Sequence, residues 1–519
     1  MPDPNLMKRP NFLVFCTDQQ RADYLGCAGH PLLRTPNLDA LAARGTRFAS
    51  AYTPSPVCMC ARGALLTGET NRGNNMGRHG MGLPEDMPTL PGTLAAAGYR
   101  THSVGKLHLK PWGDPKGVPL EAIENPEDNP ERRRFWSGGE WRRSPENYYG
   151  FQTQDMVIGH GHYAVEGGDY AVWLERESPG AGRLYDKRKA DDWALDIEPR
   201  LHYNNWIADR SIDFINTAGR EEAPFYLWCS FPDPHNPFTA LREWAERYPA
   251  EAIDLTEPAL AGPEPSHIAT LARLRTMAGH PVGKPRDPEA LREITRHYLG
   301  MISHIDEQVG RVLANLEARG LAENTVVVFL SDHGEELGDH GLMFKGLWPY
   351  DGSQRVPLLM HVPGGPEGRV VDDVVSLLDF VPTIYDLAGV PQPDDPRLTD
   401  AYREVTAPLP APLPGESLAP VVREGVRPQR RSALIELDDD FQNDLEQVSM
   451  RTFVRNDYKL ASYSPTGELF LFDRRTDPHE RNNLAEDPAH AGVVREMLAG
   501  LLHELNRTEP RTPRRFSPA

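Results

Sequence analysis

Three uncharged runs of strand length constrain this chain more than any other feature: Asn11-Phe-Leu-Val-Phe-Cys-Thr17, Pro224-Phe-Tyr-Leu-Trp-Cys-Ser-Phe231 and Thr325-Val-Val-Val-Phe-Leu-Ser331. They are near-continuous apolar runs, not alternations, which is the pattern of strands buried on both faces of a covered sheet. Reactive side chains follow each: Asp18-Gln19, then His235 in a proline-rich loop, then Asp332-His333. In open α/β sheets the carboxyl ends of strands are where ligands bind. The expected fold is therefore α/β, a large mixed, mostly parallel sheet with helices on both faces.

A candidate nucleophile lies between the first two runs, in Pro54-Ser-Pro-Val-Cys58-Met-Cys60-Ala-Arg62-Gly-Ala-Leu-Leu-Thr-Gly68. The prolines keep the approach extended. Small and leucine residues then favour a helix, and Gly68 stops it. Cys58 thus falls at or just before a helix N-terminus, where backbone N–H groups and the dipole stabilise an anion. Arg62 follows one turn later, on the same face. A nucleophile beside a fixed cation suits attack on an anionic ester, although an inert buried thiol is the commoner state of a free cysteine.

The rest of the chain divides readily. Asn71 to Leu83 is a loop containing Arg72, Arg78 and His79. A helix over Leu90 to Ala97 precedes a strand over Arg100 to Val104, and beyond it Lys106 and His108 would share one side at strand spacing. Lys110 to Arg220 shows little periodicity, and its Gly159-His160-Gly161-His162-Tyr163 reads first as a plain loop and second as a pocket lining. A second irregular stretch runs from Pro249 to Asp287. Leu291 to Arg319 has helical spacing of Leu299, Ile302, Ile305, Val309, Val312 and Leu316, all core positions. Val356 to Val362 reads as a strand, Ser376 to Ala388 as a helix, and proline-rich Val390 to Pro414 as a loop or linker. Four short strands after Arg431 and a helix over Ala491 to Asn506 form a small antiparallel sheet with a helix. Two units follow from this: residues 1–428, carrying the chemistry, and 429–519.

Cys58, Arg62 and Leu66-Thr67-Gly68 resemble the Cys-x-Pro-x-Arg signature of the type I sulfatases, with Cys60 where the pattern has proline. Ser331-Asp-His-Gly-Glu-Glu-Leu-Gly-Asp-His-Gly341 resembles the metal-binding segment of the sulfatases and phosphonate monoester hydrolases, members of the alkaline phosphatase superfamily. Gly105-Lys-Leu-His108, Thr35-Pro-Asn-Leu-Asp39 and the region after Glu468 are similar too. The resemblance implies an alkaline phosphatase-like fold and a hydrolase cleaving sulfate monoesters. It further implies that Cys58 is oxidised to formylglycine by a dedicated enzyme. Asp18, Gln19, Cys58, Asp332 and His333 would bind one divalent cation. Mainly oxygen ligands fit a hard ion, and the resemblance favours calcium over manganese. Arg62, Lys106, His108, His235 and Lys345 would be catalytic, and His79 would contact substrate. In the implied reaction the hydrated aldehyde attacks sulfur, Lys345 or His235 assists the leaving group, and His108 lets the diol collapse and expel sulfate. Asp339 and His340 would brace the loop.

Composition narrows the partners. A net charge of −19 excludes a nucleic-acid surface, so an anionic substrate must be drawn by local cations. No run of eighteen apolar residues is present, so no membrane span is expected. The N-terminal residues are polar and show no secretory signal. Five cysteines make no disulfide framework, and a cytoplasmic address follows. The expected partner is a small anionic ester, and a homo-oligomer is left open. Two other readings stand beside sulfate ester hydrolysis: a phosphonate monoester or phosphodiester hydrolase on the same scaffold, and a non-catalytic binding protein with an unmodified site.

Overall fold

A computed structural model of the chain describes residues 9–112, 129–136, 143–187, 192–256, 259, 287–390, 413–439 and 448–509. Most of the expected 390–414 linker and much of the 249–287 stretch lie outside these residues.

The main sheet contains β1 (Asn11–Thr17), β2 (Thr46–Tyr52), β3 (Arg100–Gly105), β4 (Thr153–Met156), β5 (Phe225–Ser230), β6 (Thr325–Ser331), β7 (Arg355–Val356), β8 (Leu358–His361) and β9 (Arg369–Ser376). Its order is β4-β3-β5-β1-β6-β8-β2-β7, with β9 also paired to β2. Strands β4, β3, β5, β1 and β6 are mutually parallel, and β8 turns antiparallel against β6. The three apolar runs are thus neighbours at the centre, where both faces must be covered.

Alternation decides which residues serve each face. Phe12, Val14, Tyr226, Trp228, Val326 and Val328 enter one core, while Leu13, Phe15, Leu227, Cys229, Val327 and Phe329 enter the other. The helices that matter here are α1 (Pro36–Ala43), α2 (Cys58–Thr67), α3 (Leu90–Ala96), α4 (Tyr203–Ala218), α5 (Pro288–Ala318), α6 (Phe380–Ala388) and α7 (Ala491–Arg507). Side chains of α2, α3 and α6 pack on the first face, and those of α1, α4 and α5 on the second. Helix α5 starts three residues earlier than the spacing suggests, because Asp287 caps Ala290 N at 2.9 Å and Pro288 takes the first turn.

Three expectations are modified. The 110–220 stretch holds β4 and α4 as well as loops; Trp206, Ile207, Phe214 and Ile215 give α4 its buried stripe. The strand expected over Val356 to Val362 is broken at Pro357, which lacks the N–H a ladder needs. Helix α6 is entered through a tight turn, Leu377–Asp379, closed by a reciprocal Ser376–Asp379 capping box.

The second sheet is antiparallel, β10 (Ser432–Asp439), β11 (Val448–Arg455), β12 (Tyr458–Ser464) and β13 (Leu469–Asp473), in that order. One face packs on Met497 and Leu501 of α7. The other, through Leu437, Met450, Tyr463 and Phe472, packs on Val57, Cys60, Leu342 and Trp348. The C-terminal sheet therefore buttresses the start of α2 and the loop after β6. No described helix is long and apolar enough to cross a membrane.

Candidate active site

The parallel register of β1 and β6 places Thr17 opposite Ser331, so Asp18 and Asp332 leave the sheet side by side. Gln19 then turns with φ of +69°, uncommon for a side chain of its size, and its N–H reaches Asp332 Oδ1 at 3.1 Å. His333 N donates to the same oxygen at 2.8 Å. Asp332 Oδ2 accepts from Arg62 Nε at 2.7 Å. Every group in this set is buried.

Cys58 is the first residue of α2, following an extended Val57, and Gly68 closes the helix with φ of +73°. A side chain at Gly68 would stand 3.0 Å from Val381 Cβ, so the stop is also a close approach to α6. Cys58 Sγ lies 3.3 Å from His333 Nε2. His333 Nδ1 faces Gly334 O at 2.9 Å, an arrangement that places a proton on Nδ1 and turns Nε2 toward the site. Arg62 spans the floor, with NH1 donating to Lys106 O at 2.7 Å and Ser230 Oγ at 3.0 Å, and NH2 reaching Asp18 Oδ2 at 3.2 Å.

Lys106 Nζ donates to Asp18 Oδ2 at 2.6 Å. Lys345 donates to Gln19 Oε1 and meets His235 Nε2. Gln19 Nε2 donates to Glu335 and, at 3.4 Å, to Asn236 Oδ1. The strand-spacing argument for Lys106 and His108 needs correction, since β3 ends at Gly105. A side chain there would stand 1.9 Å from Ser230 O, and the backbone turns at φ of +96°. His108 is brought in by its own left-handed conformation, φ of +59°, and meets the exposed His79 edge-on at 5.6 Å. Asp339 and His340 point elsewhere: Asp339 pairs with Arg21 at 2.8 Å and His340 stacks on Tyr350 at 3.7 Å.

Electrostatics follow from this crowding. Burial pushes the Asp18 carboxyl up, but the cations around it, Lys106 foremost and Arg62 with it, outweigh this and hold it well below the usual carboxylate range. Burial and Asp18 push the Cys58 thiol up; Lys345, Lys106 and His333 reverse this, and the thiol falls below its ordinary value. Burial, helped by neighbouring cations, holds His108 and His235 well below the ordinary histidine value and hence neutral.

Asp18 Oδ1 is the exception to this pairing. It is buried and has no hydrogen-bond partner among the described residues, with His333 Nε2 at 3.6 Å and His235 Nε2 at 4.0 Å. One ligand atom each from Asp18, Cys58, Asp332 and His333 lie within 4.8 Å of one another. An ionised, unpartnered carboxylate oxygen among such donors fits a cation. Gln19 stands beside this set with its amide committed to Lys345, Glu335 and Asn236.

Sequence reasoning passed over Ser230, Glu335 and Asp233. Ser230 ends β5 as Thr17 ends β1, so its strand-end place was the available signal. Asp233 accepts from Tyr203 OH and, at 2.8 Å, from Asn204 Nδ2; its main-chain oxygen accepts from Asp18 N at 3.2 Å.

A thiol at a helix start, a cation cage and fixed lysine, arginine and histidine side chains at the edge of a mostly parallel sheet define an alkaline phosphatase-like hydrolase of anionic esters. The Sulfatase family model matches residues 10–390, and the model for the C-terminal part of N-sulphoglucosamine sulphohydrolase matches residues 338–507. An arylsulfatase of Clostridium perfringens is 29% identical over 96% of this chain and 95% of its own. The uncharacterized sulfatase YidJ of Escherichia coli is 31% identical over 96% of this chain and 88% of its own. In fold the chain is similar to the phosphonate monoester hydrolase of Agrobacterium radiobacter, with a TM-score of 0.75 and 24% identity over 96% of both chains. The chain belongs to the sulfatase family, and it is a sulfuric ester hydrolase.

Proposed function

We propose that this enzyme hydrolyses small sulfate monoesters with Cys58, oxidised to formylglycine, as nucleophile and one divalent cation beside it. The observation that carries this reading is the buried cluster of Asp18, Cys58, Asp332 and His333 around an unpartnered Asp18 oxygen. Asp18, Asp332 and His333 would hold the cation, with Gln19 beside them and residue 58 completing the set. Carboxylate oxygens favour calcium, and the single imidazole admits manganese. When present, the two groups together supply a hydroxyl nucleophile of lowered pKa.

The side chains do the rest. Arg62, pinned by Asp332 and Asp18, and Lys106, pinned by Asp18, present fixed positive charge to the sulfuryl oxygens. Donors already held in place cost no reorganisation when charge builds up. Lys345, hydrogen-bonded to neutral His235, is placed to protonate the departing oxygen. His108, also neutral, takes the proton needed for sulfate release. His79, edge-on to His108, extends the substrate side of the pocket.

The fold similarity to a phosphonate monoester hydrolase supports a second reading, hydrolysis of phosphonate monoesters or phosphodiesters at the same groups. Lys106 argues for the sulfate monoester, since it adds a charge at a place where the phosphonate enzymes tend to be neutral. None of the five cysteines is in a disulfide, which supports a reducing, cytoplasmic address. Rates on an aryl sulfate, a phosphodiester and a phosphonate with one common leaving group test the assignment. Sulfate should give the highest kcat/KM; a phosphonate preference in fully modified enzyme would favour the second reading.

A further inference from the structure

The loop after β4 carries a histidine that the mechanism above does not use. His160 has extended backbone, φ −159° and ψ 157°, and lies between two left-handed glycines, Gly159 at +68° and Gly161 at +52°. Neither glycine has room for a side chain. A Cβ on Gly161 would stand 2.5 Å from Pro237 Cγ, and one on Gly159 2.8 Å from Tyr163 Cβ. Two positions are thus reserved for glycine by conformation and by close approach at once. The consequence is the placement of one ring: His160 stacks on His235 with centroids 3.6 Å apart and planes at 30°. The charges acting on it are those of the reacting groups, Lys106, Lys345 and Asp18, and burial keeps the ring neutral. Its Nδ1 is shut off from solvent and has no hydrogen-bond partner among the described residues. A buried polar atom without a partner is costly, and in an active site the missing partner is commonly the ligand.

We infer that His160 is a further substrate-contacting residue, whose Nδ1–H donates to a nonbridging oxygen of the bound sulfuryl group while its ring holds His235 in place. This deepens the sulfate ester reading and rests on it. Every acceptor on such a substrate is an oxygen, so a neutral imidazole N–H is the form that fits. The contact adds a donor without adding charge to a pocket already holding Arg62, Lys106 and Lys345.

Two substitutions separate the nitrogen from the ring. His160→Phe keeps a flat ring for His235 and removes Nδ1; His160→Asn sets an amide near the place of Nδ1 and removes the ring. The first readout is binding of inorganic sulfate by calorimetry, which needs no turnover and stays informative if the preferred ester proves to be a phosphonate. His160→Phe should weaken sulfate binding about tenfold, the loss of one buried hydrogen bond, and His160→Asn should recover at least half of that loss in logarithmic terms. The second readout is kcat/KM on an aryl sulfate, which should follow the same order at unchanged melting temperature and metal content. Wild-type sulfate affinity in His160→Phe overturns the inference. Equal losses in both variants overturn it as well, because an amide donor near the place of Nδ1 then restores nothing. Should His160→Phe fail to fold, His160→Leu is read in the same way.

Discussion

Lys106 Nζ stands 2.6 Å from Asp18 Oδ2, with both side chains buried, so the carboxylate that turns Oδ1 toward the cation cage is balanced through Oδ2 by a lysine. Lysine and the proposed cation would therefore act on one carboxylate from two sides, and each would weaken the other's hold. Lys106→Met should bind the divalent cation more tightly than wild type, because a competing positive charge is gone. It should nevertheless turn over about 100–1,000-fold more slowly, the usual cost of losing one fixed charge-stabilising donor. Chelator competition measures the first effect and steady-state kinetics the second. Weaker metal binding with unchanged kcat would contradict the arrangement.

Asp332 is shared differently. Its oxygens accept from Arg62 Nε, Gln19 N and His333 N, so three elements are tied by one carboxylate. Asp332→Asn preserves the shape but removes the charge. Saturating metal at about a hundred times its Kd stabilises a folded site by about 2.7 kcal/mol, and chelation removes that stabilisation. Wild type should lose melting temperature on chelation, whereas Asp332→Asn should start lower and scarcely change. A variant that keeps full metal occupancy by elemental analysis would move the site elsewhere.

How far the sequence disclosed this site depended on whether position was set locally. Asp18, Asp332 and His333 were legible because near-continuous apolar runs announce buried strands and the next residues fall at their carboxyl ends. Cys58 and Arg62 were legible because prolines, helix formers and Gly68 fix a helix start. The strand spacing that joins Lys106 and His108 in the sequence fails where Gly105 must pass Ser230 O. His160 read as a plain loop residue, because its placement depends on contact with Pro237 far along the chain. The internal order of the 110–220 stretch was hidden in the same way: β4 is short and partly exposed, and among the described residues it pairs with β3 alone.

Glu336 provides a pH test away from the reacting groups. Its carboxyl is fully buried, Oε1 accepts from Ser353 N at 3.1 Å, and Oε2 has no partner among the described residues. Burial pushes its pKa up to about 8, with Asp339 adding to the rise. A raised carboxyl pKa means that the folded state holds the proton more tightly than the unfolded chain. Its contribution is therefore complete below about pH 4 and is lost as pH rises through about 8, by up to about 1.4 kcal/mol per pH unit. Glu336→Gln imitates the protonated form. The difference in unfolding free energy, variant minus wild type, should grow from pH 5 to pH 8 and then level off. A difference that is flat across this window would show that Glu336 is ionised in the fold throughout.

The proposed modification of Cys58 can be tested through Cys60. Cys60 is the third residue of α2, and the first intrahelical bond there runs from Ala61 N to Val57 O at 2.9 Å. A proline is compatible with that first turn, so nothing in the helix demands a cysteine. Its side chain instead packs in the apolar cluster with Leu342, Leu347 and Trp348, which proline can still occupy. Cys60→Pro should therefore fold normally and carry a larger modified fraction, because it restores the residue the oxidising enzyme normally reads. Conversion of the Cys58 thiol to the aldehyde lowers the peptide mass by about 18 Da, a change distinct from the sulfenic and sulfinic steps of thiol oxidation. Specific activity across preparations of different modified fraction should rise in proportion to that fraction, and Cys58→Ala should remove it by at least about 1,000-fold. An unmodified thiolate can attack once, but it has no second hydroxyl to expel sulfate, so its turnover should stop after one cycle. Repeated turnover by protein whose Cys58 is wholly thiol would rule out the modified residue as the working nucleophile.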